Sequence, residues 1–548
     1  MKELSVIIAG KAGDGINQAG LLIARLLARL GYRVYTDIDY PSLIRGGHNF
    51  SVVRAARERI GAHREGIDFL LALNQEAIDL HAAKLRDPSR VTFDSDSAKG
   101  EGLGLPLTQM VKEEKARPLM RNTCLIGAFA KSAGIDWETF EAVLRQYLPR
   151  EPELNVKLGR RGYDQARQLV KLEPLEQKEL PVLTGNEAVG LGLVRAGLRA
   201  YVAYPMTPSS GLLHFLAGAA RDFSLKVVHP ENEIAVMLMA LGISYAGEKV
   251  AVGTSGGGFC LMTEGLSLSG MAELPVVVVV GQRPGPSTGL PTYTGQGELL
   301  FVLNAGHGEF VRFVVAPGDA EEALYWAEVA MDISWKFQVP SLVLTDKTLA
   351  EGGYSLDAGE MAEPPEQLPD LWSGEGPYRR YEVTDTGVSP LAFPPTRGAV
   401  VKVNSYEHDE QGITTEESEL TAKMQSKRLR KEKHLSEALK AYETVRVFGD
   451  AKASRALLCW GSNKGVCTEA GESLGWKVVH VPVLCPLPVS AMRDALKNVE
   501  KVVAVENNAT GQFVELVTVH GFSVNDSVRK FDGRPFLVEE LVRALEKS

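Results

Sequence analysis

Val276-Val277-Val278-Val279-Val280-Gly281-Gln282-Arg283-Pro284-Gly285-Pro286-Ser287-Thr288-Gly289-Leu290-Pro291-Thr292 reads as a buried strand that empties into a long loop rich in glycine, proline and hydroxyls. Five valines in a row leave no polar face, so the strand is covered on both sides, as parallel strands of α/β sheets are. Such a loop after a buried strand is a place for ligand-binding residues. Upstream, Val250–Val252 leads into Gly253-Thr254-Ser255-Gly256-Gly257-Gly258-Phe259 and a helix of small residues. Three consecutive glycines bring backbone close to something, either another helix or a ligand.

Further upstream, His229-Pro230-Glu231-Asn232-Glu233 precedes the apolar helix 234–242. A Glu at a helix start can simply complement the dipole. In an apolar pocket it can instead keep a raised pKa and exchange a proton with a heterocycle; the segment alone leaves both open. Tyr204-Pro205-Met206-Thr207-Pro208-Ser209-Ser210 ends another strand, at 204, and starts a helix near Ser209. Its two prolines hold one Thr hydroxyl rigidly where open parallel sheets place ligands. A proline-stiffened loop without function is the plainer alternative.

Outward from this core, the first segment alternates strand and helix from the start. The run 4–9, the turn Gly10-Lys11-Ala12-Gly13-Asp14-Gly15 and a helical pattern to about residue 30 read as the opening of a parallel α/β unit. Strands are expected at 33–39, 49–54, 69–73 and 90–93, and helices at 122–133 and 137–148. The glycine turn offers backbone N–H groups to an anion, or is just a tight turn. It lacks the Lys-Ser/Thr ending of a P-loop and the order of a dinucleotide fingerprint. Gly13-Asp14-Gly15 also imitates the start of a thiamine-diphosphate metal motif, but no Asn completes it one βα unit later. In Arg45-Gly46-Gly47-His48-Asn49, Arg45 is either a carboxylate partner or a solvated turn residue.

Residues 352–396, rich in Pro and Gly, read as a linker or wrapping arm. Lys427-Arg428-Leu429-Arg430-Lys431-Glu432-Lys433 lies in a charged helical stretch, 416–446, and is expected to be a solvated helix face. The last hundred residues alternate again, with strands at 456–460, 478–483 and 502–505. The expected domains are 1–178, 180–355, a linker and connecting helix over 356–450, and 451–548.

The 548 residues, 45% hydrophobic and 24% charged, suit about three to four globular domains. A net charge of −9 argues against broad nucleic-acid binding. No apolar run is long enough to span a bilayer, and no signal-peptide pattern opens the chain, so a cytoplasmic protein is expected. The five cysteines form no Cys-x-x-Cys pair, so this chain is expected to hold no metal or iron–sulfur cluster of its own.

Taken together, Tyr204-Pro205-x-Thr207-Pro208-Ser209-Ser210, Glu231-x-Glu233-Ile234-Ala235, Thr254-Ser255-Gly-x-Gly258-Phe259, Met262-x-Glu264-Gly265 and the loop from Gln282 to Thr292 closely resemble the α subunit of 2-oxoacid:ferredoxin oxidoreductases. The first segment resembles that family's γ subunit, fused at the N-terminus, through the glycine turn, Tyr40-Pro41 and Arg45-Gly46-Gly47. The last resembles its transketolase-C-like domain, through Trp460-Gly461-Ser462-x-Lys464-Gly465, Glu506-Asn507-Asn508-x-x-Gly511-Gln512 and Asp532-Gly533-Arg534-Pro535. The fold class implied is multidomain α/β: a γ-type domain, a parallel-sheet domain of the thiamine-diphosphate pyrimidine-binding type, and a transketolase-C-like domain.

The resemblance implies oxidative decarboxylation of a 2-oxoacid with coenzyme A, using thiamine diphosphate and passing electrons to ferredoxin. It assigns the diphosphate and Mg2+ site and a [4Fe–4S] cluster to a separate β subunit, in a dimer of αβ heterodimers. Glu233 matches the Glu set against the aminopyrimidine ring, and Thr207 the Thr that binds substrate. Pro205, Ser255, Gly256 and Gly258 fall at the cofactor, while Arg283, Ser287 and Thr288 fall on the substrate loop. Arg45 is the expected anchor for a distal carboxylate, which points to 2-oxoglutarate. Pyruvate, branched-chain 2-oxoacids and indolepyruvate are the alternatives, as are a thiamine-dependent decarboxylase without ferredoxin and a regulatory subunit that binds coenzyme A or anions. Tyr293 and Gly295 depart from the family pattern, which carries a basic residue and Glu there.

Overall fold

The computed structural model describes residues 3–42, 46–359 and 361–548. The chain divides into two compact units: one of 1–184, 351–359 and 536–547, the other of 185–350, 360–535 and the last residue.

The first unit is built on an eight-stranded sheet in the order β6-β5-β4-β1-β3-β2-β14-β7. Its strands are β1 (Glu3–Lys11), β2 (Arg33–Asp39), β3 (His48–Ala56), β4 (Phe69–Ala72), β5 (Val91–Asp94), β6 (Leu103–Leu105), β7 (Val182–Thr184) and β14 (Gly353–Ser355). β1 runs parallel to β4, but β3 lies antiparallel between β1 and β2. The sheet is therefore mixed rather than the parallel unit expected. The connection 40–47 is too short for a parallel crossover, which needs a dozen or more residues, so β3 has to return antiparallel. β1 and β2 still point the same way, with helix Ile16–Arg29 as their crossover.

The second unit carries a seven-stranded sheet, β18-β12-β13-β11-β10-β8-β9. It comprises β8 (Ala200–Ala203), β9 (Lys226–Val228), β10 (Val250–Ser255), β11 (Val276–Gln282), β12 (Phe313–Val315), β13 (Pro340–Asp346) and β18 (Val483–Cys485). All pairings are parallel except that of the edge strand β18. Every residue of β10, β11 and β13 is buried, as the continuous valine run requires. The strand expected over 478–483 splits instead into β17 (Lys477–His480) and β18. Pro482 has no N–H to donate, so the ladder breaks there and the chain changes sheets. β17 joins β15 (Arg446–Gly449), β16 (Arg455–Cys459), β19 (Lys501–Glu506) and β20 (Asp526–Arg529) in a five-stranded sheet ordered β15-β17-β16-β19-β20.

The basic run is not the solvated face expected. In helix Ser418–Ala438, Lys427, Arg428 and Lys431 are buried together with Met424 and Leu435. The cause is two helix C-termini that meet here, each ending in a non-glycine residue with a left-handed backbone: Glu273 after helix Gly256–Ala272, and Gln338 after helix Ala320–Phe337. Such ends expose carbonyl groups and partial negative charge. Lys427 Nζ meets Oε1 and Oε2 of the Glu273 carboxylate at 2.7 and 2.9 Å, and Lys431 Nζ reaches the same Oε2 at 2.5 Å. Lys431 also donates to the Gln338 carbonyl. Arg380, from the proline-rich arm, donates to the carbonyls of Ala272 and Glu273 and to the Gln338 side chain. Burial alone would raise the Glu273 carboxyl, but these cations outweigh it and hold it well below the ordinary carboxylate range.

Glu273→Ala should lower stability by about 3–5 kcal/mol, because it strands two buried ammonium groups. Chemical denaturation followed by circular dichroism measures this; a loss under about 1 kcal/mol would mean that the lysines find other partners.

Candidate active site

Three strand ends of the second unit converge, because β8, β10 and β11 are parallel neighbours and present their carboxyl ends on one edge. β10 ends at Ser255, and the helix Gly256–Ala272 begins at once. Its first turn has no side chains, and two carboxyl groups fill the space. A Cβ on Gly258 would collide with Glu233 Oε1 and Thr254 Oγ1, and one on Gly256 would collide with the Glu298 carboxyl.

Glu233 opens helix Glu233–Tyr245, whose N-cap Asn232 accepts from the Ala235 N–H at 3.0 Å. The cap leaves the Glu233 side chain free to turn inward, where it is 3% exposed. Its Oε1 is buried without a hydrogen-bond partner, and so is the hydroxyl of Ser255 nearby in the sequence of the turn. An unpaired carboxyl oxygen in a dry pocket is costly unless something binds to it. A nitrogen heterocycle with an adjacent amino group is suited to do so. The buried polar atoms therefore fit a thiamine pyrimidine.

Arg283 follows β11 and donates Nη1 to the Thr207 carbonyl at 2.9 Å. This bond joins the loops after β8 and β11 and brings Thr207 and Arg283 together. Burial pulls the Arg283 guanidinium below its usual range, partly offset by the nearby Glu298 carboxyl. Ser287 has its backbone carbonyl over Gly257, whereas its own side chain and that of Thr288 are exposed. Pro205 is exposed. Arg45 lies outside the described residues.

Residues that sequence reasoning missed hold this loop in place. Gln296 is fully buried and bonded entirely to the C-terminal segment. Its side chain donates to the Trp460 carbonyl at 3.1 Å and accepts from Asn463 Nδ2 and the Asn507 N–H at 2.8 and 3.0 Å. Its backbone pairs with the Asn507 carbonyl and with Asn508 Nδ2. The Thr294 N–H donates to the Gly533 carbonyl, and the Arg534 guanidinium stacks 3.9 Å over the Tyr293 ring. Tyr293, a departure from the family pattern, thus carries a cation lent by the C-terminal segment. Motifs at 460–465, 506–512 and 532–535 all touch this loop or its flanks, which no single-motif reading could reveal.

In the first unit the glycine turn braces itself. Asp14 accepts from the Lys11 N–H and from Arg121, and Asn122 donates to the Asp14 carbonyl. Its carboxylate is thus engaged in a strand-to-helix turn. Tyr40 donates to Glu351, and burial raises its phenol well above the ordinary value.

Comparison with known proteins gives a consistent result. Residues 191–427 match the family model described as pyruvate flavodoxin/ferredoxin oxidoreductase, thiamine diphosphate-binding, and residues 5–165 match pyruvate ferredoxin/flavodoxin oxidoreductase. The chain is 31% identical to the α subunit of 2-oxoacid:ferredoxin oxidoreductase 2 of Aeropyrum pernix, over 100% of this chain and 98% of that one. It is 28% identical to the 2-oxoglutarate oxidoreductase subunit KorA of Mycobacterium tuberculosis, over 100% and 92%. Among solved structures, 2-oxoglutarate:ferredoxin oxidoreductase from Magnetococcus marinus, with 2-oxoglutarate, coenzyme A and succinyl-CoA bound, superposes with a TM-score of 0.89 at 29% identity, covering 100% of this chain and 99% of that one.

Gln296→Leu should remove the loop's fixed points and cost about 2–3 kcal/mol. Hydrogen exchange across residues 284–297 should then accelerate by about tenfold or more while β10 and β11 keep their protection. Unchanged exchange there would show that the loop is held by other contacts.

Proposed function

The chain belongs to the 2-oxoacid:ferredoxin oxidoreductase family, an oxidoreductase class in which its relatives are α subunits, and from that premise we propose its reaction, substrate and partners. The reaction is oxidative decarboxylation of 2-oxoglutarate with coenzyme A, giving succinyl-CoA, carbon dioxide and reduced ferredoxin. The observation that carries this reading is Glu233: a buried carboxyl with an unpartnered oxygen, packed against a glycine turn whose missing side chains let it approach. The names of the M. tuberculosis and M. marinus relatives favour 2-oxoglutarate over pyruvate, branched-chain 2-oxoacids and indolepyruvate.

Bound thiamine diphosphate would supply the carbon nucleophile and electron sink that decarboxylation requires. Glu233 holds a proton at the ring nitrogen and exchanges it there, in a pocket that excludes water. Ser255 and the backbone of Gly256 and Gly258 border the ring, and Pro205 shapes the entrance. Thr207 offers its hydroxyl to the 2-oxoacid, and Arg283, tied to the Thr207 carbonyl, receives its carboxylate. The hydroxyls of Ser287 and Thr288 close over the substrate from the same loop. Arg45 anchors the distal carboxylate.

The diphosphate, Mg2+ and the [4Fe–4S] cluster belong to a β subunit, in a dimer of αβ heterodimers. Ile234, Leu238, Met239 and Leu261, each 45–48% exposed on the two helices that start at the site, supply an apolar surface for that subunit. No helix among the described residues is long and apolar enough to cross a membrane.

The complex co-purified from its host should turn over 2-oxoglutarate faster than other 2-oxoacids, with ferredoxin reduction dependent on coenzyme A. Pyruvate as the better substrate would overturn the substrate assignment, and carbon dioxide release without ferredoxin reduction would overturn the reaction. Glu233→Gln should assemble normally and lose about 10²–10⁴-fold in turnover, while Arg45→Ala should lose activity with 2-oxoglutarate alone.

A further inference from the structure

Glu298 has no part in the chemistry assigned above, yet it borders the same turn. It ends the loop that begins at Arg283, immediately before helix Leu299–Asn304. Its N–H donates to Gln282 Oε1 at 3.2 Å, and Gln282 Nε2 donates to the Thr345 carbonyl at the end of β13. The backbone of Glu298 is thereby fixed to two central strands. Its side chain folds into the space that Gly256 leaves empty, and its Oε2 is buried without a hydrogen-bond partner.

Among the described residues, the charges around it are few. The turn 256–258 contributes only glycines, and Gln512 reaches the Gly297 carbonyl from helix Gln512–Val519. Glu233 lies on the far side of that turn, against Gly258. Among the described residues, Arg283 is the charged group that acts on Glu298. Burial raises the Glu298 carboxyl to about 8 against the pull of that guanidinium.

Arg283 is the cation given above to the substrate carboxylate. Were Glu298 ionised, an internal carboxylate would already compensate that cation and would repel an arriving anion. Resting on that reading of Arg283, we propose that Glu298 is a positioning residue that stays neutral when the 2-oxoacid arrives, leaves the Arg283 charge to the substrate, and on ionisation disfavours anion binding. The sign follows directly. Below about pH 8 the carboxyl is neutral and binding is at its strongest. Above it, binding requires that a proton be taken up, so affinity falls as pH rises.

The test uses the purified complex with its partner subunit. KM for the 2-oxoacid and kcat are measured from about pH 6.5 to about pH 9.5 for wild type and Glu298→Gln. Wild-type KM should climb toward about tenfold per pH unit above 8, with little change in kcat, as one linked proton demands. Glu298→Gln, which keeps the shape and cannot ionise, should hold KM flat. A flat wild-type profile would overturn the proposal, and so would a variant that follows the wild-type curve; the wild-type profile alone decides if the variant does not assemble.

Infrared difference spectra of the two complexes at neutral pH give a readout independent of turnover. A protonated carboxyl band present in wild type and lost in Glu298→Gln is expected. An ionised carboxylate together with normal 2-oxoacid turnover would overturn the role of Glu298 alone. A protonated band without turnover of any 2-oxoacid would overturn the functional reading, and the role built on it.

Discussion

Gly256 and Gly258 are where the structure has the least freedom. They lie in the first turn of a helix that starts directly from a central strand, and each gives its missing side-chain volume to a carboxyl group. The helix that brings Glu233 and the loop that brings Glu298 can approach only because those positions have no Cβ. An alanine at either would push a carboxyl out of its pocket, and a dry site with a reactive ring needs both positions settled before anything binds.

The rest of the second unit serves to keep this edge rigid. The loop after β11 is not self-supporting: it is long, crosses exposed ground and carries the groups proposed to meet substrate. Its fixed points are Gln296 and Thr294, both bonded to residues some 160 to 240 positions later in the chain. At the opposite end of the glycine-led helix, Lys427, Lys431 and Arg380 neutralise the Glu273 carboxylate and the helix carbonyls beside it. Both ends of one helix are thus set by distant parts of the chain, which is a physical reason for the arm and the C-terminal segment to be in the same unit as the site.

Local patterns were legible in the amino-acid sequence where local chemistry decides the outcome. The valine run became β11, the glycine run became the β10-to-helix junction, and Glu233 came to rest at a helix start with its carboxyl turned inward. What the sequence hid depends on long-range placement. The strand β3 fits antiparallel between β1 and β2 because of a short connection, which periodicity does not report. Lys427 and Lys431 look like a solvated run until Glu273 and Gln338 are found opposite them. Gln296 and Glu298 look like loop and N-terminal polar residues, because nothing near them in sequence reveals the Asn463, Asn507 or Gly256 that they meet. Pro482 was a visible signal: read as a ladder breaker, it would have divided the strand expected at 478–483.

In the proposed function, this chain supplies the pyrimidine half of a thiamine diphosphate site around the turn at Gly258. Cofactor content of the purified complex tests it most directly, measured by mass spectrometry after gel filtration for wild type and Gly258→Ala. Thiamine diphosphate should be retained by the wild-type complex and largely absent from Gly258→Ala, with both complexes equally assembled. Equal cofactor content in the two would contradict it, because a Cβ at that position cannot coexist with Glu233 where the structure places it.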